Sequence, residues 1–342
     1  MKKIEFKPML VSIILVLLIY YFYTPALNIH AIEFWIFLIV AICIYGAASS
    51  YSTLLGKKFK PEKVGYLGAA VAVIVAGILV TDLFTSKIFH ASRYASRIEV
   101  ENVKFNNKTL HEVDFSKTPI IDRKSTVKLG DKVMGEIPEY VSQFEVSDDY
   151  TQISYKNSVY RVTPLEYASF FKYLTNSKNG IPAYITVNST NGKTDIVKLK
   201  DLGLDGMKYV PSAILNQNLN RKLQLSYPTS IFGSPSFEVD EKGHPWYVCT
   251  TYTYFGVGNK KKVTGAVLFD PITGKSKKYD KGKVPKWVDR VYPEELIMTE
   301  IDENGSLQDG FFNSVLGQKN VTVTSEGYNY LEKDGDIWIY SG

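Results

Sequence analysis

The chain has 342 residues, of which 45% are hydrophobic, 13% aromatic and 22% charged, proportions that exclude wholesale disorder and allow about two globular domains. Forty Lys and Arg stand against 35 Asp and Glu; residues 1–90 hold eight of the basic and four of the acidic ones, which leaves 32 and 31 for residues 91–342. A soluble region so close to neutrality is not a nucleic-acid footprint, because the positive excess lies beside apolar runs.

Three such runs open the chain: Met9–Tyr23, Phe34–Leu55 and Val64–Thr81. A helix needs roughly 20 apolar residues to cross the hydrocarbon layer. The reading is therefore a membrane domain over 1–90 with helices at about 8–27, 34–55 and 64–85, and the lipid bilayer as its partner. A cleaved signal peptide is the rival for the first run. Thr24-Pro25-Ala26-Leu27-Asn28 offers no clear small-x-small cleavage site and another span follows closely, which favours a retained helix. Lys2, Lys3 and Lys7 precede the first run, and Lys57, Lys58, Lys60 and Lys63 fill the second loop, whereas the first loop has neither Lys nor Arg. The positive-inside rule predicts a multi-pass protein of the cell membrane with a cytoplasmic N-terminus and residues 91–342 outside; Lys87, Arg93 and Arg97 run against that bias. Gly68, Ala72 and Ala76 recur every four residues on the third span, a face for close helix packing within the bundle or in a homo-oligomer. Glu33 and Asp82 lie near the predicted outer interface, which disfavours a channel or transporter. Cys43 lies in a span and Cys249 in the soluble region, so no disulfide framework is expected.

A connecting segment, 91–149, follows; Ser92–Val103 either extends the third helix or begins a strand. The first α+β unit spans 150–205. It starts with a hairpin, Ile153–Arg161, turning at Lys156-Asn157. Thr163-Pro164-Leu165-Glu166 reads as a capping box opening a helix over Pro164–Leu174. Strands Ala183–Val187 and Thr194–Leu199 then flank a turn at Asn191-Gly192. The second unit, 206–290, has a helix over Pro211–Leu223, strands Ser236–Val239 and Trp246–Tyr254 around Asp240–Gly243, and a hairpin of Gly265–Asp270 with Lys275–Tyr279 around Pro271–Gly274. Gly180-Ile-Pro-Ala-Tyr184 echoes Gly243-His-Pro-Trp-Tyr247, an internal repeat of a helix on an antiparallel sheet. A third unit begins in 291–342. It has helical stretches at Glu294–Glu300 and Asp309–Leu316 and β-like stretches at Val321–Thr324, Tyr328–Leu331 and Ile337–Tyr340, the last an edge strand or the sign of a truncated unit.

Trp246-Tyr247-Val248 followed by Gly265-Ala-Val-Leu-Phe-Asp270-Pro-Ile-Thr-Gly274-Lys275 resembles the PepSY family of small extracytoplasmic domains, and Gly180–Lys200 is a fainter copy. The match covers about a quarter of the chain, and Gly256–Lys262 interrupts the compact pattern. The whole layout also looks like a group of Gram-positive membrane proteins, some with names borrowed from colicin-V-production proteins. The resemblance implies a domain that inhibits, chaperones or senses, and supplies no catalytic residue.

A search for chemistry is negative. His111-Glu112 lacks a second histidine at the zincin spacing, and His244 after a turn glycine reads as a surface residue. Ser125-Thr126-Val127-Lys128 fits Ser-x-x-Lys but reads as a charged loop; Asp302–Ser306 reads as a polar turn rather than a calcium loop. No cofactor motif occurs. The densest charge feature is Lys260, Lys261 and Lys262 with Lys275, Lys277 and Lys278, continued by Lys281, Lys283 and Lys286. It suits an anionic polymer or lipid heads, or equally a solvated edge that blocks aggregation. The expectation is a three-helix transmembrane region carrying an α+β region of antiparallel sheets. Its function is that of a membrane-anchored binding, sensory or regulatory protein whose partner is an envelope protein, a peptide or an anionic polymer. The alternatives are a cell-envelope enzyme or tethered peptidase inhibitor, and a transport-accessory subunit.

Overall fold

The structure, a computed structural model, describes residues 6–54, 61–104, 118–156, 158–325, 327–333 and 336–342. The second-loop lysines 57, 58 and 60, His111-Glu112 and Asn157 lie outside the described residues. The chain forms two compact units. One comprises Met1–His90, Leu223–Ile231 and Tyr252–Lys262; the other comprises Ala91–Lys222, Phe232–Thr251 and Val263–Gly342.

The first unit is helical: α1 (Phe6–Tyr23), α2 (Ile32–Leu54) and α3 (Pro61–Phe84). Two of these are long and apolar enough to cross a membrane, over Ile32–Ser50 and Val64–Phe84; α1 has a shorter apolar stretch, Met9–Tyr23. The 21 residues of Val64–Phe84 rise about 31 Å, the thickness of the hydrocarbon layer. Large apolar side chains stand exposed on these helices, with Leu17 at 61%, Val73 at 71% and Leu79 at 64%. Two distant segments complete the unit. Leu27 N donates to Pro228 O at 2.7 Å, Gly258 N donates to His30 O at 3.1 Å, and His30 Nδ1 lies 2.8 Å from Gly256 O. Asn259 Nδ2 donates to Asp82 O and to Thr85 Oγ1, each at 3.0 Å.

In the second unit, α4 (Lys87–Ala95), which bends at His90 as it leaves the first, packs Tyr94 and Ala95 on Leu307 and Phe311. Then come α5 (Arg123–Gly135), α6 (Pro138–Val141), β1 (Phe144–Val146), β2 (Thr151–Tyr155), β3 (Ser158–Tyr167), α7 (Phe170–Asn176), β4 (Ala183–Asn188) and β5 (Thr194–Lys198). These strands form a sheet ordered β1-β3-β4-β5, with β2 also on β3. After α8 (Leu219–Ser226), strands β6 (Ile231–Phe232), β7 (Ser236–Val239), β8 (Pro245–Thr253), β9 (Lys262–Phe269) and β10 (Ser276–Asp280) form a second sheet ordered β6-β8-β9-β10, with β7 also on β8. Finally, α9 (Glu294–Leu307) precedes a hairpin of β11 (Asn329–Lys333) and β12 (Asp336–Tyr340).

The two sheets share one plan: two short strands on one long strand, followed by a closing hairpin. The hairpin loops repeat bond for bond. Asn188 N donates to Lys193 O, Gly192 N donates to Asn188 O, and Asn188 Oδ1 accepts from Thr190 N and Asn191 N. Likewise Asp270 N donates to Lys275 O, Gly274 N donates to Asp270 O, and Asp270 Oδ1 accepts from Ile272 N and Thr273 N. Each loop needs its glycine at positive φ, +74° at Gly192 and +71° at Gly274. The repeat therefore aligns β4 with β9, whereas Gly243–Tyr247, which echoes Gly180–Tyr184, leads into β8. Tyr184 and Phe237, ring centroids 5.7 Å apart, join the sheets, and Tyr184 Oη donates to Gly243 O.

Several expected elements differ. Thr163–Glu166 is the middle of β3, with Thr163 and Leu165 fully buried; the helix starts at Phe170, capped by Ser169. Pro164 is tolerated there because β1 ends opposite Leu165 and β2 begins opposite Val162, leaving its missing N–H unmatched on that edge. The helix expected over Pro211–Leu223 is broken: Asn218 holds Pro211 O and Ala213 O through Nδ2 and caps α8 through Oδ1, which accepts from Arg221 N at 3.0 Å. Ser125–Lys128 is the first turn of α5, capped by Asp122. Asp302–Ser306 is helical within α9, where Glu303 and Glu300 meet the Arg97 guanidinium at 2.7 and 2.9 Å, all three buried. Val321–Thr324 forms no strand, and Ser92–Val103 is helix only as far as Ala95.

Candidate binding groove

The second unit carries an open groove of about 740 Å³ between the end of β2, the end of β7 and the strap 281–292 that follows β10. Its size is that of a site for a small ligand or a short polymer segment. The strap lies flat because its apolar residues have a place to go. Val288 is buried against Val248, Ala266 and Leu268, with Val284, Trp287 and Val291 packed around it.

Polar contacts fix the strap at three places. Thr250 Oγ1 donates to Val291 O at 3.0 Å. Ser154 N, on β2, donates to Asp289 Oδ2 at 2.7 Å. Glu238, on β7 and with no exposed surface, accepts from Asp289 N at 3.0 Å, Arg290 N at 3.2 Å and Ser236 Oγ at 3.3 Å. Burial pushes the Glu238 carboxyl up to about 7, against the pull of those two amides.

Above this support the groove presents Tyr155, Trp287 and Tyr292, with Lys156, Lys281 and Lys286 exposed at its rim and Glu241 the acidic residue among them. Lys156 Nζ sits 4.8 Å over the Tyr155 ring. Lys281 Nζ donates to Tyr292 Oη at 2.7 Å and lies 4.8 Å from that ring's centroid. Trp287 leans on Trp246 at 6.0 Å between centroids, and Trp246 on His244 at 5.0 Å. His244 is thus half-buried rather than a surface residue, with Nε2 3.5 Å from Asp270 Oδ1.

The predicted lysine patch is divided. Lys275, Lys277 and Lys278 are exposed at and along β10, whereas Lys260, Lys261 and Lys262 belong to the helical unit, where Lys261 Nζ lies 3.9 Å over the Tyr252 ring. Lys281 and Lys286, from the tail of the same run, are the members that line the groove; Lys156 comes from the predicted hairpin turn and Trp287 from beside Lys286. Gly68, Ala72 and Ala76 are exposed on α3, while Leu67, Val71, Ile74 and Ile78 form its half-buried face. Ser125 Oγ is engaged by Asp122 Oδ2 at 3.0 Å, so it forms no pair with Lys128. Cys43 and Cys249 are both free, Cys249 buried on β8. Among the described residues no group of three or more His, Cys, Asp and Glu can hold a metal ion. The chain matches no family model, and no curated protein and no solved structure matches it.

Proposed function

We propose that the protein is a membrane-anchored binding protein. In this reading α1, α2 and α3 all span the bilayer, the N-terminus and second loop are cytoplasmic, and the α+β unit is a PepSY-like module on the outer side that engages an envelope partner. The observation that carries it is the pairing of helices whose large apolar side chains stand exposed, as lipid contact requires, with a unit that has a buried core and an open groove. The lysine-free first loop supplies the orientation.

The test is cysteine accessibility in whole cells. In a Cys43→Ser, Cys249→Ala background, single cysteines replace Ile29, Lys58 and Asn191, and a membrane-impermeant thiol reagent is applied. Labelling at 29 and 191 but not 58 is expected. Labelling at 58 alone inverts the topology and removes the reading.

A further inference from the structure

We propose that the groove is a subsite for acidic polysaccharide; this deepens the reading above and rests on it. The groove combines what a charged sugar chain needs. Tyr155, Trp287 and Tyr292 line the groove with aromatic surface for the apolar C–H faces of sugar rings, with Lys156 and Lys281 each lying against one face of Tyr155 and Tyr292. Lys156, Lys281 and Lys286 offer three ammonium groups against the single carboxylate of Glu241. Lysine is a mobile point charge on a long stem, suited to carboxylates whose spacing is set by the polymer rather than by a fixed fork. Two of the ammonium groups are already oriented, Lys156 over Tyr155 and Lys281 onto Tyr292. Orienting them before binding lowers the entropy lost on capture. The strap carrying Lys281, Lys286, Trp287 and Tyr292 is held by Glu238, Ser154 and Thr250, so these groups converge on a fixed support. The open shape fits a segment of a chain that continues beyond both ends of the site.

The experiment uses the full-length protein in lipid discs and a short, labelled oligogalacturonate. Saturable binding is expected, weakened by salt and competed poorly by neutral dextran, polyphosphate or poly-L-glutamate. Replacing Lys156, Lys281 and Lys286 together by alanine is expected to weaken it by about tenfold or more. The matched surface variant Lys275→Ala, Lys277→Ala, Lys278→Ala is expected to bind like the wild type. Trp287→Phe, which keeps an aromatic ring in that packing with less surface, tests stacking apart from charge and is expected to weaken binding severalfold. No oligogalacturonate binding overturns the inference, as does equal loss in both triple variants. Polyphosphate or poly-L-glutamate competing as well as the sugar also overturns it, since charge alone then accounts for the binding. An outer domain that binds no acidic sugar sinks this inference and leaves the anchored-protein reading standing; a domain mapped to the cytoplasm sinks both.

Discussion

Glu238 gives the groove's support a pH dependence that can be measured. Its carboxyl has no exposed surface and is pushed up to about 7 by burial, from the ordinary value of 4.5. Between those values the folded chain keeps the proton and the unfolded chain has lost it, so stability falls as pH rises from 4.5 to 7. At about 1.4 kcal/mol per pH unit, the loss is about 3 kcal/mol, complete above pH 7. Glu238→Gln removes the titration. It keeps one acceptor for the amides of Asp289 and Arg290 and turns an N–H group toward the other, at a cost of about 1–3 kcal/mol that does not vary with pH. The expected result is therefore a difference in slope. In denaturant titrations at intervals from pH 5 to 8, the wild type loses about 2.5 kcal/mol relative to the variant, with other titrating groups cancelling in the comparison. Parallel curves would refute the assignment of a buried, protonated carboxyl under the strap.

Three further outcomes test the scaffold. Arg97→Ala leaves Glu300 and Glu303 buried without their counter-ion and is expected to cost about 3–5 kcal/mol in thermal unfolding, with Arg97→Lys retaining part of it. Burial already outweighs the guanidinium at Glu300 and holds its carboxyl above the usual range, so the Arg97→Ala loss should shrink as pH is lowered and Glu300 takes up a proton. Gly180 sits at φ +79° with Met207 O 2.7 Å from where a Cβ would be; Gly180→Ala should destabilise by more than about 2 kcal/mol, read as a lower denaturation midpoint at unchanged m-value. Asn218→Ala removes the α8 cap together with two carbonyl contacts and should cost about 1–2 kcal/mol by the same measurement.

The hairpins were legible in the sequence because their loops carry their own instructions. Asp270 and Asn188 accept amide protons from the residues that follow, and a glycine supplies the positive φ, so local chemistry alone sets the turn. The apolar runs were legible because length and composition decide them. The Thr163–Glu166 error is instructive for the opposite reason. A capping box and a buried strand both favour Thr at that place; what decides is pairing with residues 144–146 and 184–188, which no local window contains. Ser125–Lys128 and Asp302–Ser306 were misread because their charged residues suggested solvent. Asp122 caps α5, and Arg97, some 200 positions away in sequence, accounts for the buried acids of α9. The groove was half legible: Lys281 and Lys286 stood in a conspicuous run, but Lys156, Tyr155 and Tyr292 become a site only when the strap crosses from β10 toward β2.

The chain path also limits how the α+β unit can be handled. Strands β8 and β9 are neighbours in one sheet, where Thr251 Oγ1 and Thr264 Oγ1 lie 2.9 Å apart, yet the loop joining them belongs to the helical unit. Within that unit its Gly256 and Gly258 meet His30, and its Asn259 meets Asp82 and Thr85. The segment Leu223–Ile231 returns in the same way, binding Leu27 and Asn28 through Pro228 and Thr229. Cutting the chain near residue 91 would therefore strip both segments of their hydrogen-bond partners and leave those groups to water. A loop anchored at both ends in one sheet can pass a shift on to the strands that hold it. It follows that a weakened groove in an excised domain would not distinguish a lost ligand contact from a disturbed β8–β9 pair, whereas the same substitution in the full chain would.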